Sequence, residues 1–195
     1  MYKELTILLN ESAKDNKVLI FALTANGDFF SSGNDLGASM ATEMTPTTIE
    51  NANSTVKDFI DAIIMYPKLL IAVVNGPAIG IASTILGIFD IVYASDKAGD
   101  MLYLGYKMNA QEAKKYGLVS KVYNHDSLEE VWDYLNNVSK LSSESILATK
   151  RLMSKWDREI LLKVNAEEMK ELKKRLESPD LIERFLNFLS RKNKL

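Results

Sequence analysis

Two stretches of this sequence carry glycine just where a buried apolar run ends: GDFFSSGNDL at residues 27–36, after VLIFAL, and NGPAIGI at residues 75–81, after LLIAVV. The second has almost no polar side chain beyond its turn, so any chemistry done there belongs to backbone N–H groups. Such groups are unpaired at a helix start, where the helix dipole adds partial positive charge. Two of them aimed at one point can hold an oxygen that becomes negative during a reaction. The same glycines also serve a chain that merely turns at the end of a strand, and the pattern alone leaves both readings open.

Side-chain chemistry is restricted by composition. There is no cysteine and one histidine among 195 residues, which excludes a disulfide framework, thiol chemistry and most histidine-based metal sites. No metal is expected. The 24 basic and 26 acidic residues leave a formal charge of −2 without a long basic block, so nucleic acid is not an expected partner. With 47% hydrophobic residues the chain can bury an ordinary core, and a reducing or organellar interior suits it. The opening MYKELTILLNESAKDNK lacks the apolar core and small-residue cleavage site of a secretory signal. The Asn-x-Ser/Thr matches at Asn10, Asn53 and Asn137 are then read as chance. Residues 69–94 are long and apolar enough to suggest a membrane span and contain Gly76-x-x-x-Gly80, but the turn Asn75-Gly76-Pro77 and the polar Ser83, Thr84 and Asp90 argue against one.

The elements that must position these turns alternate. Residues 2–14 place Leu5, Leu8 and Leu9 on a helical stripe, and KVLIFALTANGD follows as a buried strand closing on an Asn26-Gly27 turn. TIENANSTVKDFIDAIIMY places Ile49, Ala52, Val56, Phe59, Ile60 and Ile63 at helical spacing before the strand KLLIAVVNG. IFDIVYAS and GLVSKVY are the third and fourth strand candidates. Continuous Val/Ile/Leu runs separated by helices predict a mainly parallel sheet with both faces covered. Residues 128–140, 143–156, 158–177 and 179–190 read as helices, the last opened by Ser178-Pro179-Asp180 and carrying Leu181, Ile182, Phe185 and Leu189 on one face. That face is expected to cover the α/β body or pack on another subunit. The division is an α/β core over residues 1–127 and a helical C-terminal region of the same domain over residues 128–195.

DFFSSGNDL and AVVNGPAIGIASTILGIFDIVYASDKA resemble the crotonase (enoyl-CoA hydratase/isomerase) superfamily, and the likeness is nearest to the peroxisomal delta(3),delta(2)-enoyl-CoA isomerases. It extends in order through KMNAQEAKKYGLVSKVY, VNAEE and FLSRKNKL. The resemblance implies a crotonase-like ββα spiral core with a helical C-terminal region, homo-oligomers that are usually trimers, and an acyl-coenzyme A thioester as substrate or ligand with no further cofactor. It also implies an oxyanion hole made by the N–H groups of Asn34 and Ile81, and a coenzyme A-binding stretch over Ser32, Gly33, Asn34, Asp35 and Leu36.

What the resemblance implies is incomplete in this chain. The isomerases shuttle a proton with one glutamate in a PEG-type segment between ASDKA and the helix resembling GDMLYLG; here ASDKA runs straight into GDMLYLGYKMNAQEA. The glutamate position used by hydratases falls on Thr84. The strands and NA-type turn that precede the first helix in relatives are not matched. No catalytic residue is therefore assigned, and an isomerase-family protein of unsaturated fatty-acid β-oxidation with impaired catalysis is expected. The alternative is a non-catalytic acyl-CoA-binding or protein-interaction module. Asp35 follows the oxyanion residue, and Asp90 and Asp96 read as structural partners or ends. Asp100 reads as a cap for the next helix, or as a replacement base only if the shortening draws it towards the pocket. His125, in YNHDSLEE, reads as solvated, and EEMKELKKRLE as a solvated helix face. The terminal Asn193-Lys194-Leu195 resembles a Ser-Lys-Leu peroxisomal address with asparagine in the small-residue place. Peroxisomal import through its receptor is the expectation, with mitochondrion or cytosol as alternatives.

Overall fold

The computed structural model describes residues 1–33, 45–102 and 106–178. Asn34, Asp35 and Leu36, the helix expected at residues 179–190 and the terminal tripeptide lie outside these residues.

The first helix, α1 (Tyr2–Lys14), has Glu4 in its first turn and Lys14 in its last, each complementing the helix dipole. Its C-terminal carbonyls are satisfied from outside: the buried Lys68 donates through Nζ to Ser12 O at 2.7 Å and Asp15 O at 2.6 Å. After β1 (Ile20–Leu23), helix α2 (Pro46–Met65) starts on Thr45, whose hydroxyl accepts from the Thr48 N–H, with proline in the first turn. Of the residues singled out by their spacing, Ile49, Val56, Phe59, Ile60 and Ile63 are buried, but Ala52 is exposed, because the helix carrying Met169 packs instead over the neighbouring Asn53, whose amide donates to Met169 O.

Strands β1, β2 (Leu69–Val74), β3 (Ile91–Ser95) and β6 (Lys121–Tyr123) form one parallel sheet in the order β1-β2-β3-β6. Its register sets Ala22 against Ile71, Ala72 against Val92 and Ala94 against Val122. Alternation along β2 divides the core. Leu70, Ala72 and Val74 join α1, α2 and Met169, while Ile71 and Val73 join Tyr93, Tyr123, Val131 and Leu135 on the opposite face. Both faces are thus covered, as the unbroken apolar runs required.

The remaining helices are α3 (Ile81–Thr84), followed by a 3-10 turn over Ile85–Ile88, then α4 (Ala110–Lys115), α5 (Leu128–Val138), α6 (Ser143–Ser154) and α7 (Arg158–Leu176). Helix α7 packs on α2: Asn165 donates to Asp61 Oδ1 at 2.8 Å, and Asn53 donates to Met169 O at 2.7 Å. The third strand is shorter than IFDIVYAS, because Ile88 belongs to the 3-10 turn and Phe89 and Asp90 lead into the strand.

One expectation fails. Asp100 does not cap a helix, because residues 99–102 form β4 (Gly99–Leu102), antiparallel to β5 (Tyr106–Asn109), with Gly99 opposite Asn109. The reason is how little chain is available. The Ala98 N–H donates to Ser95 O at 3.0 Å and the Ala110 N–H donates to Ala98 O at 3.1 Å, so both ends of the segment are held at one place. Backbone closed so tightly pairs with itself. The helix starts instead at Asn109, whose side chain accepts from the Glu112 N–H at 3.0 Å while Glu112 accepts from the Asn109 N–H at 3.1 Å. This reciprocal cap is legible in NAQE.

Candidate functional site

The two glycine-marked turns meet at the C-terminal end of the parallel sheet. A single parallel bridge joins Ser31 to Ala78. Around it the Phe30 and Ser31 N–H groups donate to Pro77 O at 3.0 and 3.2 Å, and the Ile79 N–H donates to Ser31 O at 3.0 Å. Approach this close requires Gly76: a Cβ there would lie 1.9 Å from Asp28 O. Gly33 packs beside Ile79, the place of a Cβ being 3.5 Å from Ile79 O, and its N–H donates to Ser31 Oγ at 3.2 Å.

Gly80 precedes α3 with φ 67° and ψ −133°, a conformation that disfavours any side chain, and its carbonyl accepts from Ser83 at 2.9 Å and Thr84 at 3.3 Å. The N–H of Ile81, at the first helical position, meets no protein acceptor among the described residues. Of the residues expected at the site, Ser32, Gly33 and Ile81 are therefore described: Gly33 and the turn bearing Ile81 are brought together, and Ser32 is exposed beside them. Asn34, Asp35 and Leu36 lie outside the described residues.

Beside these turns lies a small apolar cleft lined by Val74, Ala78, Leu86, Ala98, Met108 and Ala113 among others. Among the described residues no carboxylate lines it. Thr84 carries no acid and returns its hydroxyl to Ile81 O at 3.1 Å. Asp90 is bound elsewhere, at the other end of the sheet, accepting from the Leu70 N–H at 2.8 Å and from the buried Lys150 Nζ at 2.7 and 2.8 Å. Asp96 Oδ1 accepts the His125 N–H at 3.1 Å. These two aspartates have the structural roles read for them. His125 does not: it is half-buried, and its Nδ1 lies 3.1 Å from Asn75 O. The shape of the β6 exit, invisible in YNHDSLEE, folds the ring back onto the β2 turn. Beneath it, Tyr123 is pushed up to about 12 by burial and then by the charge of Asp96. Among the described residues no group of three or more His, Cys, Asp or Glu side chains could hold a metal, and no helix is long and apolar enough to cross a membrane.

The residue that sequence reasoning passed over is Asn75. Its tripeptide marked a turn, but its amide donates 2.7 Å to Gly27 O, a partner whose approach only the fold determines.

Comparison with known proteins follows the same segments. The Enoyl-CoA hydratase/isomerase family profile matches residues 1–99 and 96–181. Human enoyl-CoA delta isomerase 2 is 38% identical over 230 aligned positions, covering 100% of this chain and 58% of the relative. Mouse peroxisomal enoyl-CoA delta isomerase 3 is 35% identical over 227 positions, covering 100% of this chain and 71% of the relative. An enoyl-CoA hydratase/isomerase crystal structure from Pseudoalteromonas atlantica superposes with a TM-score of 0.83 at 26% identity, over 97% of this chain and 86% of that one. The chain spans 58% of the length of the human relative it matches. Aligning 195 residues over 230 positions leaves 35 without a residue of this chain, and the profile match restarts at residues 96–99, where β3 gives way to β4. The parallel sheet, the paired turns and these matches together establish that this chain belongs to the crotonase, or enoyl-CoA hydratase/isomerase, family.

Proposed function

We propose that this chain is an enoyl-CoA isomerase-family protein that binds acyl-coenzyme A thioesters, holds the thioester oxygen between the N–H groups of Asn34 and Ile81, and turns over poorly. The observation that carries the reading is the backbone bonding of residues 30–31 to residues 77–79, which brings the turn bearing Ile81 beside the first, with the Ile81 N–H meeting no acceptor among the described residues. Ser32, Gly33, Asn34, Asp35 and Leu36 would face the coenzyme A portion. Residues 1–127 and 128–195 act in this reading as one domain, which the seam between α2 and α7 supports.

Moving a double bond from position 3 to position 2 requires a base to take a proton from C2 and an acid to return one at C4. The electron pair passes meanwhile through an enolate whose charge falls on the thioester oxygen. Two N–H donors stabilise that charge as it develops, but they move no proton. With Thr84 at one family position and an apolar cleft at the β3–β4 junction, no described carboxylate stands where the proton must go. A positioned acid/base is commonly worth about 10² to 10⁴ in rate, and isomerisation is expected to fall short of a full-length relative by that order. Assay of a 3-enoyl-CoA beside a binding titration with the same ligand tests both halves. Turnover within tenfold of the relative refutes the impairment, and absence of binding refutes the acyl-CoA reading. Insertion of a glutamate-bearing segment after Ala98 should restore rate.

Assembly into homo-oligomers is supported by Leu152, Met153, Trp156, Ile160 and Val164, large apolar side chains left more than half exposed along the end of α6 and the start of α7. Sedimentation at several concentrations checks it. Peroxisomal residence is supported by the name of the mouse relative; imaging the full chain, tagged at its amino end, against a peroxisomal marker is the test.

A further inference from the structure

We infer that Asn75 is a positioning residue that fixes the separation of the two glycine turns, with Ser95 and His125 holding it from beneath; the inference rests on the acyl-coenzyme A reading of those turns. Asn75, just past β2, is bonded to the chain at the C-terminal end of each of the other three strands of the parallel sheet. Its side chain donates to Gly27 O, after β1, at 2.7 Å. Its own carbonyl accepts from Ser95 Oγ, at the end of β3, at 2.9 Å. His125, two residues past β6, places Nδ1 3.1 Å from that same carbonyl and donates there as the Nδ1-protonated tautomer. The His125 backbone is fixed in turn by Asp96 Oδ1.

Burial gives these bonds their weight. Asn75 is 6% exposed and Ser95 0%, so a group that loses its partner here regains none from water. The Gly27 contact is the only side-chain bond between the two turns among the described residues; the others are backbone bonds at Phe30, Ser31 and Ile79, which follow once the turns are in register. Two N–H donors converge on one oxygen only when the loops that carry them keep a fixed distance, and displacement by about 1 Å is enough to spoil such geometry. Aspartate at position 75 would set a carboxylate against the Gly27 carbonyl, turning an attraction into a repulsion. An asparagine amide answers this need, since one end donates across the gap while its backbone carbonyl is gripped from below.

The test compares the full chain with Asn75→Ala, Asn75→Asp, Ser95→Ala and His125→Ala. The probes are a saturated acyl-CoA thioester and its thioether analogue, which lacks the carbonyl oxygen. The unaltered chain should prefer the thioester. In Asn75→Ala and Asn75→Asp that preference should fall about tenfold, the worth of roughly one hydrogen bond to a charged or strongly polar group, with thioether affinity unchanged; the Ser95 and His125 variants should lose less, in the same direction. A retained preference, or equal loss for both probes, overturns the positioning role. If Asn75→Ala does not fold, Ser95→Ala, which deletes one oxygen, decides by the same criterion. If the unaltered chain shows no thioester preference, the acyl-CoA reading itself has failed, and hydrogen exchange decides the latch alone. The Phe30, Ser31 and Ile79 amides should exchange faster in the variants while those of residues 71–73 do not, and unchanged exchange at the three refutes it.

Discussion

Replacing Gly76 by alanine should drive the exits of β1 and β2 apart. The added Cβ would sit 1.9 Å from Asp28 O, 2.8 Å from Asp28 C and 3.2 Å from Phe29 Cα, all of them backbone atoms that cannot swing aside as a flexible side chain would. Ordinary contact begins at 3.4 Å, so the facing loop must retreat by about 1.5 Å. That movement breaks the bonds from Phe30 and Ser31 to Pro77 O and from Ile79 to Ser31 O. At about 0.5–1.5 kcal/mol net for each of the three bonds and about 1–3 kcal/mol for overpacking, the loss is about 2.5–7.5 kcal/mol. For a chain of this length that amounts to a melting temperature lowered by on the order of 10 °C. Two neighbouring glycines separate the causes. A Cβ at Gly80 meets nothing within 4 Å, but its φ of 67° costs a side chain about 1–3 kcal/mol. Gly87 has neither a crowded Cβ site nor a positive φ, so alanine there should stay within about 1 kcal/mol of the parent. Urea titrations read by circular dichroism should rank the losses Gly76→Ala, Gly80→Ala, Gly87→Ala. A Gly76→Ala protein as stable as Gly87→Ala would refute the close approach on which the site rests.

Lys150→Met leaves Asp90 without its cation. With side-chain exposures of 6% and 22% for the pair, the cost should be about 2–4 kcal/mol by urea titration, and adding Asp90→Asn should recover part of it. Ser83 is buried with a hydroxyl that meets no partner among the described residues, so Ser83→Ala should leave the melting temperature unchanged or raise it, by up to about 2 kcal/mol of stability. Tyr123 and Tyr93 are each pushed up to about 12 from 10.0, Tyr123 by burial and then Asp96, Tyr93 by burial and then Tyr134. Above pH 10 the unfolded chain has lost protons that the folded chain keeps, so this stability is fully present below pH 10 and is lost as pH rises towards 12. Chemical denaturation across that window should show the decline, and Tyr123→Phe should flatten it; a slope unchanged in the variant would count against the assignment.

Much of the framework was legible because it depends on local order. Largely apolar runs at 18–23, 69–74 and 91–95, bounded by turn residues, read as strands covered on both faces, and Ile49, Val56, Phe59 and Ile63 recur at the spacing of one helix face. Glycine at Gly33 and Gly80 marked the two strand exits, and the agreement of several segments in order identified the family before any coordinate. The misreadings at Asp100 and His125 have one cause. Whether GDML forms a helix or a hairpin depends on the distance between Ala98 and Ala110, and whether His125 meets water depends on where the β2 turn lies; neither distance is a property of the local residues. The same holds for Asn75. Asparagine before Gly-Pro announces a turn in any sequence, but only the parallel packing of β1 on β2 carries Gly27 O to its amide, across 48 residues of chain. Local sequence determined which backbone groups would be left unpaired, since that follows from where helices and strands end. Which loops stand side by side was decided by the tertiary structure, because nearness of residues 30–31 to residues 77–79 is a relation that only the sheet brings about.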